Sequence, residues 1–163
     1  MAKDYDPRPA ATRLAAVQAV YELGMIKAPV DDVLASFTAD RWKAADEDVD
    51  QELARPKPEL LKDLVSGTAA RHADIEAALK PAMRGERDVD DMEQVMQAIL
   101  RTATYELLAR RNVTAKTVIS AYTSVADAFF DEDGQQVKLI AGILNTVARQ
   151  LRADEFAHSG ETA

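Results

Sequence analysis

The chain contains no cysteine. That excludes disulfide frameworks, cysteine-ligated zinc and thiol catalysis, and it suits a reducing cytoplasm. Histidine occurs only twice, at His72 and His158. There is no H-E-x-x-H pattern and no cysteine cluster, so a protein-built transition-metal site is not expected. Glycine and proline number six each, and no glycine-rich phosphate loop or nucleophile elbow is present around Ser66-Gly67 or His158-Ser159-Gly160. Without such groups the sequence does not read as an enzyme, and no cofactor is expected. No apolar run approaches the roughly 18 residues of a membrane span. The first residues, MAKDYDPRPAATRL, lack the apolar core of a secretory signal. Positive charge is also short: 20 Lys+Arg stand against 28 Asp+Glu, a formal charge of −8. A generic coat for bare nucleic-acid phosphate needs the opposite balance.

What remains is helical. Hydrophobic residues make up 47% of 163 residues, enough for one domain with a buried core. No stretch alternates apolar and polar residues for long, and no Asn-Gly or Asp-Gly turn separates β-branched runs. Pro7 and Pro9 mark an extended, flexible arm over residues 1–11. Thr12 is placed to cap a first helix that carries Leu14, Val17 and Tyr21 on one stripe and ends near Gly24. A second helix is expected from about Val30 to Ala45, with Trp42 beside its apolar face. Residues 46–58 interrupt the pattern: five of the seven residues Asp46–Glu52 are acidic, and two prolines follow. That cluster lacks the spacing of an EF-hand loop and reads as a solvated loop.

A third helix begins at Pro58 and keeps the 3.6 period through Leu61, Leu64, Val65, Thr68, His72, Ile75 and Leu79 until Pro81 kinks or ends it. His72 on that stripe is expected to be a hydrogen-bonded structural residue. The strongest element is DDMEQVMQAILRTATYELLARR, which opens with acids and closes with arginines as the helix dipole favours. Thr114 caps the next helix, Asp131–Gly134 makes a turn, and a last helix runs from about Gln135 to Arg152. Residues 153–163 read as a disordered tail. About six to seven amphipathic helices, over residues 12–152, predict an all-α compact bundle.

Three stretches carry a family resemblance: RLAAVQAVYEL in the first helix, QAILRTATYELLARRNVTAKTVISAYTSVADAFF in the middle, and KLIAGILNTVARQLR at the end. Together, in order and spacing, they resemble the NusB family of transcription antitermination factors. The resemblance implies two packed three-helix halves. It also implies a protein that binds the boxA element of nascent RNA jointly with ribosomal protein NusE, on RNA polymerase, so suppressing premature termination in ribosomal RNA operons. No catalysis and no membrane are involved.

Carried over residue by residue, the resemblance assigns RNA contacts to Arg8, Arg13, Gln18, Tyr21 and Lys138, and partner contacts to Asp91 and Met96. Tyr21 can stack on a base or pack in the core beside Val17. The chain also departs from the family. Pro9, Ala10 and Ala11 stand where further arginines are usual, and Arg8 substitutes in part. Leu139 replaces an aromatic, Ala141 an asparagine, Ala121 a glutamate, Asp127 a lysine and Met96 a glutamate. Lys3, Arg8 and Arg13 balance Asp4, Asp6 and Glu22, so residues 1–23 are neutral. RNA binding by the chain alone is therefore expected to be weak. The competing reading is a protein–protein adaptor or homodimer on the same fold that has lost RNA binding, which an exposed Met96 would favour. An appendage of an rRNA cytosine methyltransferase is the third, but the chain has no cofactor-binding sheet.

Overall fold

A computed structural model describes residues 6–37, 55–83, 88–131 and 134–157. Every regular element among them is helical. Helix α1 spans Arg8–Met25, α2 Val30–Ala35, α3 Pro58–Ala70 and α4 His72–Ala82. A single 3-10 turn, Val89–Asp91, leads into α5, Gln94–Ala109. Then come α6, Ala115–Phe129, α7, Gln135–Leu151, and the short α8, Ala153–Ala157. Trp42 and the acidic run at 46–52 lie outside the described residues, as does the end of the expected second helix beyond residue 37.

The centre of the fold is α5. Eleven of its sixteen residues are buried, including Ile99, Leu100 and Leu107. A helix buried on most of its faces is surrounded by its neighbours. Here α1 and α3 pack on one side and α6 and α7 on the other, with α4 leaning on both α5 and α7. Helix α2 touches α1 and α3. The result is two three-helix groups, α1–α3 and α5–α7, sharing one core.

Several local expectations are corrected. Helix α1 starts at Arg8, so residues 8–11 belong to the helix and not to an arm. Pro9 sits in the first turn, where its missing N–H costs nothing. Thr12 is not a cap. Its buried hydroxyl donates to the Arg8 carbonyl at 2.6 Å and accepts the Lys57 N–H at 2.7 Å, tying α1 to the start of α3.

The single helix expected over 58–80 is broken at Arg71, whose φ and ψ are −103° and 29°. The break leaves His72 exposed rather than on the buried stripe. Pro81 falls in the last turn of α4, which ends one residue later. The acids expected to open α5 instead lie in the preceding 3-10 turn, where Asp88 and Asp91 cap each other's backbone. Thr114 does cap α6, accepting the Thr117 N–H at 3.2 Å. Residues 153–157 are helical rather than a loose tail, and 158–163 lie outside the described residues.

Candidate nucleic-acid interface

Two ends of the bundle bring polar chemistry together. At the first, the start of α1 meets the end of α5. Arg13 is 7% exposed and Glu106 fully buried. The guanidinium of Arg13 donates through Nε to Glu106 Oε1 at 2.7 Å and through Nη2 to Oε2 at 2.8 Å. The Tyr122 hydroxyl, also buried, donates to the same Oε1 at 2.7 Å. Hydrogen bonding to Glu106 raises the affinity of Arg13 for its proton, and burial pushes the Tyr122 phenol well up. Both effects keep Arg13 a cation and Tyr122 a neutral phenol.

The assignment of Arg13 to an RNA contact is therefore corrected. Its charge is spent inside the protein, because a carboxylate in the core needs a cation beside it. The sequence marked Arg13 only by motif position. The one available signal for its partner was a charged residue, Glu106, placed between the buried Ala103 and Leu107 of α5.

Close by, the Tyr105 hydroxyl donates to Asp63 Oδ1 at 2.6 Å and Arg110 donates to Asp63 Oδ2 at 3.3 Å. Burial, then the bond to Asp63, pushes the Tyr105 phenol up to about 12. Arg152 is fully buried. It donates to the carbonyls of Leu107 at 2.8 Å, Arg110 at 3.1 Å, Glu106 at 3.3 Å and Val113 at 2.9 Å. A guanidinium thus satisfies the orphan carbonyls at the C-terminus of α5. Glu155 receives Arg152 in turn and accepts the Ala115 N–H at 2.8 Å, at the N-terminus of α6. That backbone bond holds the Glu155 carboxyl below its usual range. None of Glu106, Tyr122, Arg152 and Glu155 stood out as a functional group in the sequence.

Arg8, at the same end, is exposed but paired with Asp6 at 3.3 Å. It borders a cleft of about 530 Å³ with Lys57, Glu59, Asp63 and Arg110. Its three cations face Glu59, Asp63 and, just beside it, Asp6, so it is no basic funnel.

At the opposite end, the end of α1 meets the start of α5, and the start of α5 meets the start of α7. A Cβ on Gly24 would lie 3.4 Å from Gln94 Oε1, which fixes the first of these contacts. A cleft of about 400 Å³ lined by Glu93, Met96, Gln135, Gln136 and Leu139 fixes the second. Tyr21 is 38% exposed, so it is not a core residue. Gln18 is half-buried and Lys138 exposed. Met25, Ile26, Phe129 and Leu139 are also exposed, an unusual density of large apolar side chains at one end. The structure thus places Gln18, Tyr21 and Lys138 on the elements of this end and leaves Arg8 and Arg13 at the other.

Asp91 is exposed in the turn leading into α5. Met96 is 4% exposed and belongs to the core, at the floor of the cleft beside Leu139. Met96 is thus not the exposed residue that would favour the adaptor reading. No group of His, Asp and Glu among the described residues could hold a metal ion, and no described helix is long and apolar enough to cross a membrane.

This architecture has close counterparts. The model of the NusB family matches residues 10–149. A transcription antitermination protein NusB from Novosphingobium aromaticivorans is 38% identical over 143 residues, covering 88% of this chain and 94% of the relative. A protein of the same name from a Bradyrhizobium species is 35% identical over 149 residues, covering 91% and 86%. Among solved structures, T. maritima NusB superposes with a TM-score of 0.69 at 19% identity, covering 93% of this chain and 98% of that one. A structure of NusB and NusE in complex with dsRNA superposes with a TM-score of 0.68 at 16% identity, covering 90% and 99%. The chain belongs to the NusB family.

Proposed function

We propose that the protein is an RNA-binding transcription antitermination factor. In this reading it binds boxA RNA together with ribosomal protein NusE and joins the antitermination complex on RNA polymerase in ribosomal RNA operons. The observation that carries the reading is the match to antitermination proteins along nearly the whole chain, at identities of 35% and 38%. Its role is binding rather than catalysis, and its place is the cytoplasm.

The end that holds Tyr21, Gln18 and Lys138 supports an RNA contact there. Tyr21 offers an exposed ring for stacking and Lys138 an exposed ammonium for a phosphate. The exposed Met25, Ile26, Phe129 and Leu139 nearby are suited to cover by a protein partner. Asp91 lies beside this end in the turn before α5 and belongs to the proposed partner surface. With Arg8 paired and Arg13 buried, few cations remain for phosphate, so RNA affinity should depend on the partner.

The test is binding of fluorescent boxA RNA with and without NusE, at two salt concentrations. Cooperative binding with NusE, weak without it, is the expected result. Absence of binding under both conditions would overturn the reading and leave a repurposed protein on the same fold.

A further inference from the structure

The outer face of α7 stands apart from the rest of this acidic protein. Its seventeen residues, QQVKLIAGILNTVARQL, include no Asp or Glu, although the chain has 28 of them. Lys138, Gly142, Asn145 and Arg149 follow one another at spacings of four, three and four, so they form one stripe. All four are exposed. A Cβ on Gly142 would meet nothing within 4 Å, so the middle of the stripe is open to close approach.

At its far end the stripe runs into a cleft of about 500 Å³ between α6, α7 and α8, lined by Lys116, Ile119, Ser120, Asn145, Arg149 and Phe156, among others. The Arg149 guanidinium lies over the Phe156 ring, 4.7 Å from its centre. That contact holds a planar cation in place. The acid at this cleft, Glu155, is already engaged by the Ala115 N–H and by Arg152. On α6 the one acid is Asp127, near the Lys138 end.

We infer that the outer face of α7 is a track for single-stranded RNA, leading from Lys138 along Gly142 and Asn145 to a terminal subsite made by Arg149 and Lys116. Cations at both ends take phosphates. Asn145 can donate to or accept from a base edge, and the Arg149–Phe156 platform offers a face for stacking. The track is about 16 Å long, from eleven residues of helix rise, enough for several nucleotides beyond the core contact. An acidic protein segment is the competing occupant. The continuity with Lys138 favours RNA, and the inference rests on the RNA-binding reading above.

The experiment compares boxA RNA with versions extended by about four nucleotides at the 5′ or the 3′ end, each titrated with NusE present at several salt concentrations. One extension should bind more tightly, with a salt slope steeper by about 0.7 for each added phosphate contact. The Lys116→Gln/Arg149→Gln variant should lose that gain while binding unextended boxA as the wild type does. Both residues are exposed, so folding is kept, and circular dichroism checks this.

If unextended RNA binds but neither extension adds affinity, the track is overturned and the RNA-binding reading stands. A gain that persists in the double variant places the extra contact elsewhere and overturns it too. If no RNA binds, both fall. Competition by polyglutamate at this face, without any effect of RNA length, overturns RNA as the occupant in favour of an acidic protein.

Discussion

Gly67 lies flat against the ring of Tyr105: a Cβ built on Gly67 would stand 2.1 Å from Cζ and 2.4 Å from the hydroxyl oxygen. The absence of a side chain on α3 is what lets the phenol reach Asp63, one turn earlier on the same helix. Gly67→Ala should therefore displace Tyr105 and cost about 1–3 kcal/mol through overpacking. Thermal unfolding measures the loss. In a Tyr105→Leu background the same substitution should cost much less, and equal costs in both backgrounds would refute the contact.

Tyr105 also gives a titration that reports the site directly. Its phenol is pushed up to about 12 by burial and by Asp63. A raised tyrosine value means the contribution to stability is complete below about pH 10, the unfolded value, and fades as pH rises through about 12. Phenolate absorbance should show two late-titrating tyrosines, Tyr105 near 12 and the fully buried Tyr122, and Tyr105→Phe should remove only the first.

Breaking the buried pair should be severe. Arg13→Ala leaves Glu106 as a charge in the core, with only the Tyr122 hydroxyl and a distant Arg110 Nε at 3.6 Å for company. A loss of about 3–5 kcal/mol is expected. Denaturant unfolding checks it. A variant of unchanged stability but reduced RNA affinity would restore Arg13 to the RNA surface.

Tyr21→Ala should do the reverse. The side chain is exposed, so the midpoint of unfolding should stay nearly fixed, while RNA binding with NusE weakens by the about 1–3 kcal/mol typical of a base–aromatic stack. Equal binding by variant and wild type would remove Tyr21 from the interface.

Acid should loosen the end held by α8. Glu155 is held below its ordinary range by the Ala115 N–H, and next by Arg152. A depressed carboxylate stabilises at pH above its unfolded value, near 4.5, and that contribution is lost as pH falls through the lower folded value. Amide exchange at Ala115 should therefore accelerate in that acid range. In Glu155→Gln, exchange should already be faster at neutral pH and change less on acidification.

Long periodic stripes were legible in the sequence. The apolar spacings of α6 and α7, with Thr114 as cap, placed both helices almost to the residue. Elements governed by a single distant contact were not. Thr12 has the composition of a cap, and only the arrival of Lys57 from 45 residues away shows that its hydroxyl is used inside. His72 follows the helical period on paper, but the backbone turn at Arg71 rotates it outward. Arg13 matched a surface role by motif, while its partner Glu106 lies 93 residues on, beyond any local pattern. Tyr21 and Lys138 could be named from the sequence, yet which end of the bundle they occupy emerged only from the packing of α1, α5 and α7.

The Arg152 cap has a consequence for the order in which this molecule can be made. Its main bond, to the Leu107 carbonyl, spans 45 residues. A ribosome working from the N-terminus delivers the central helix long before the side chain that closes it. Until then the last carbonyls of α5 have water or a neighbour's passing side chain as partners, and the first N–H of α6 lacks Glu155. Final locking of the bundle is thus a late event in synthesis, timed by the emergence of residues 152–155 from the exit tunnel.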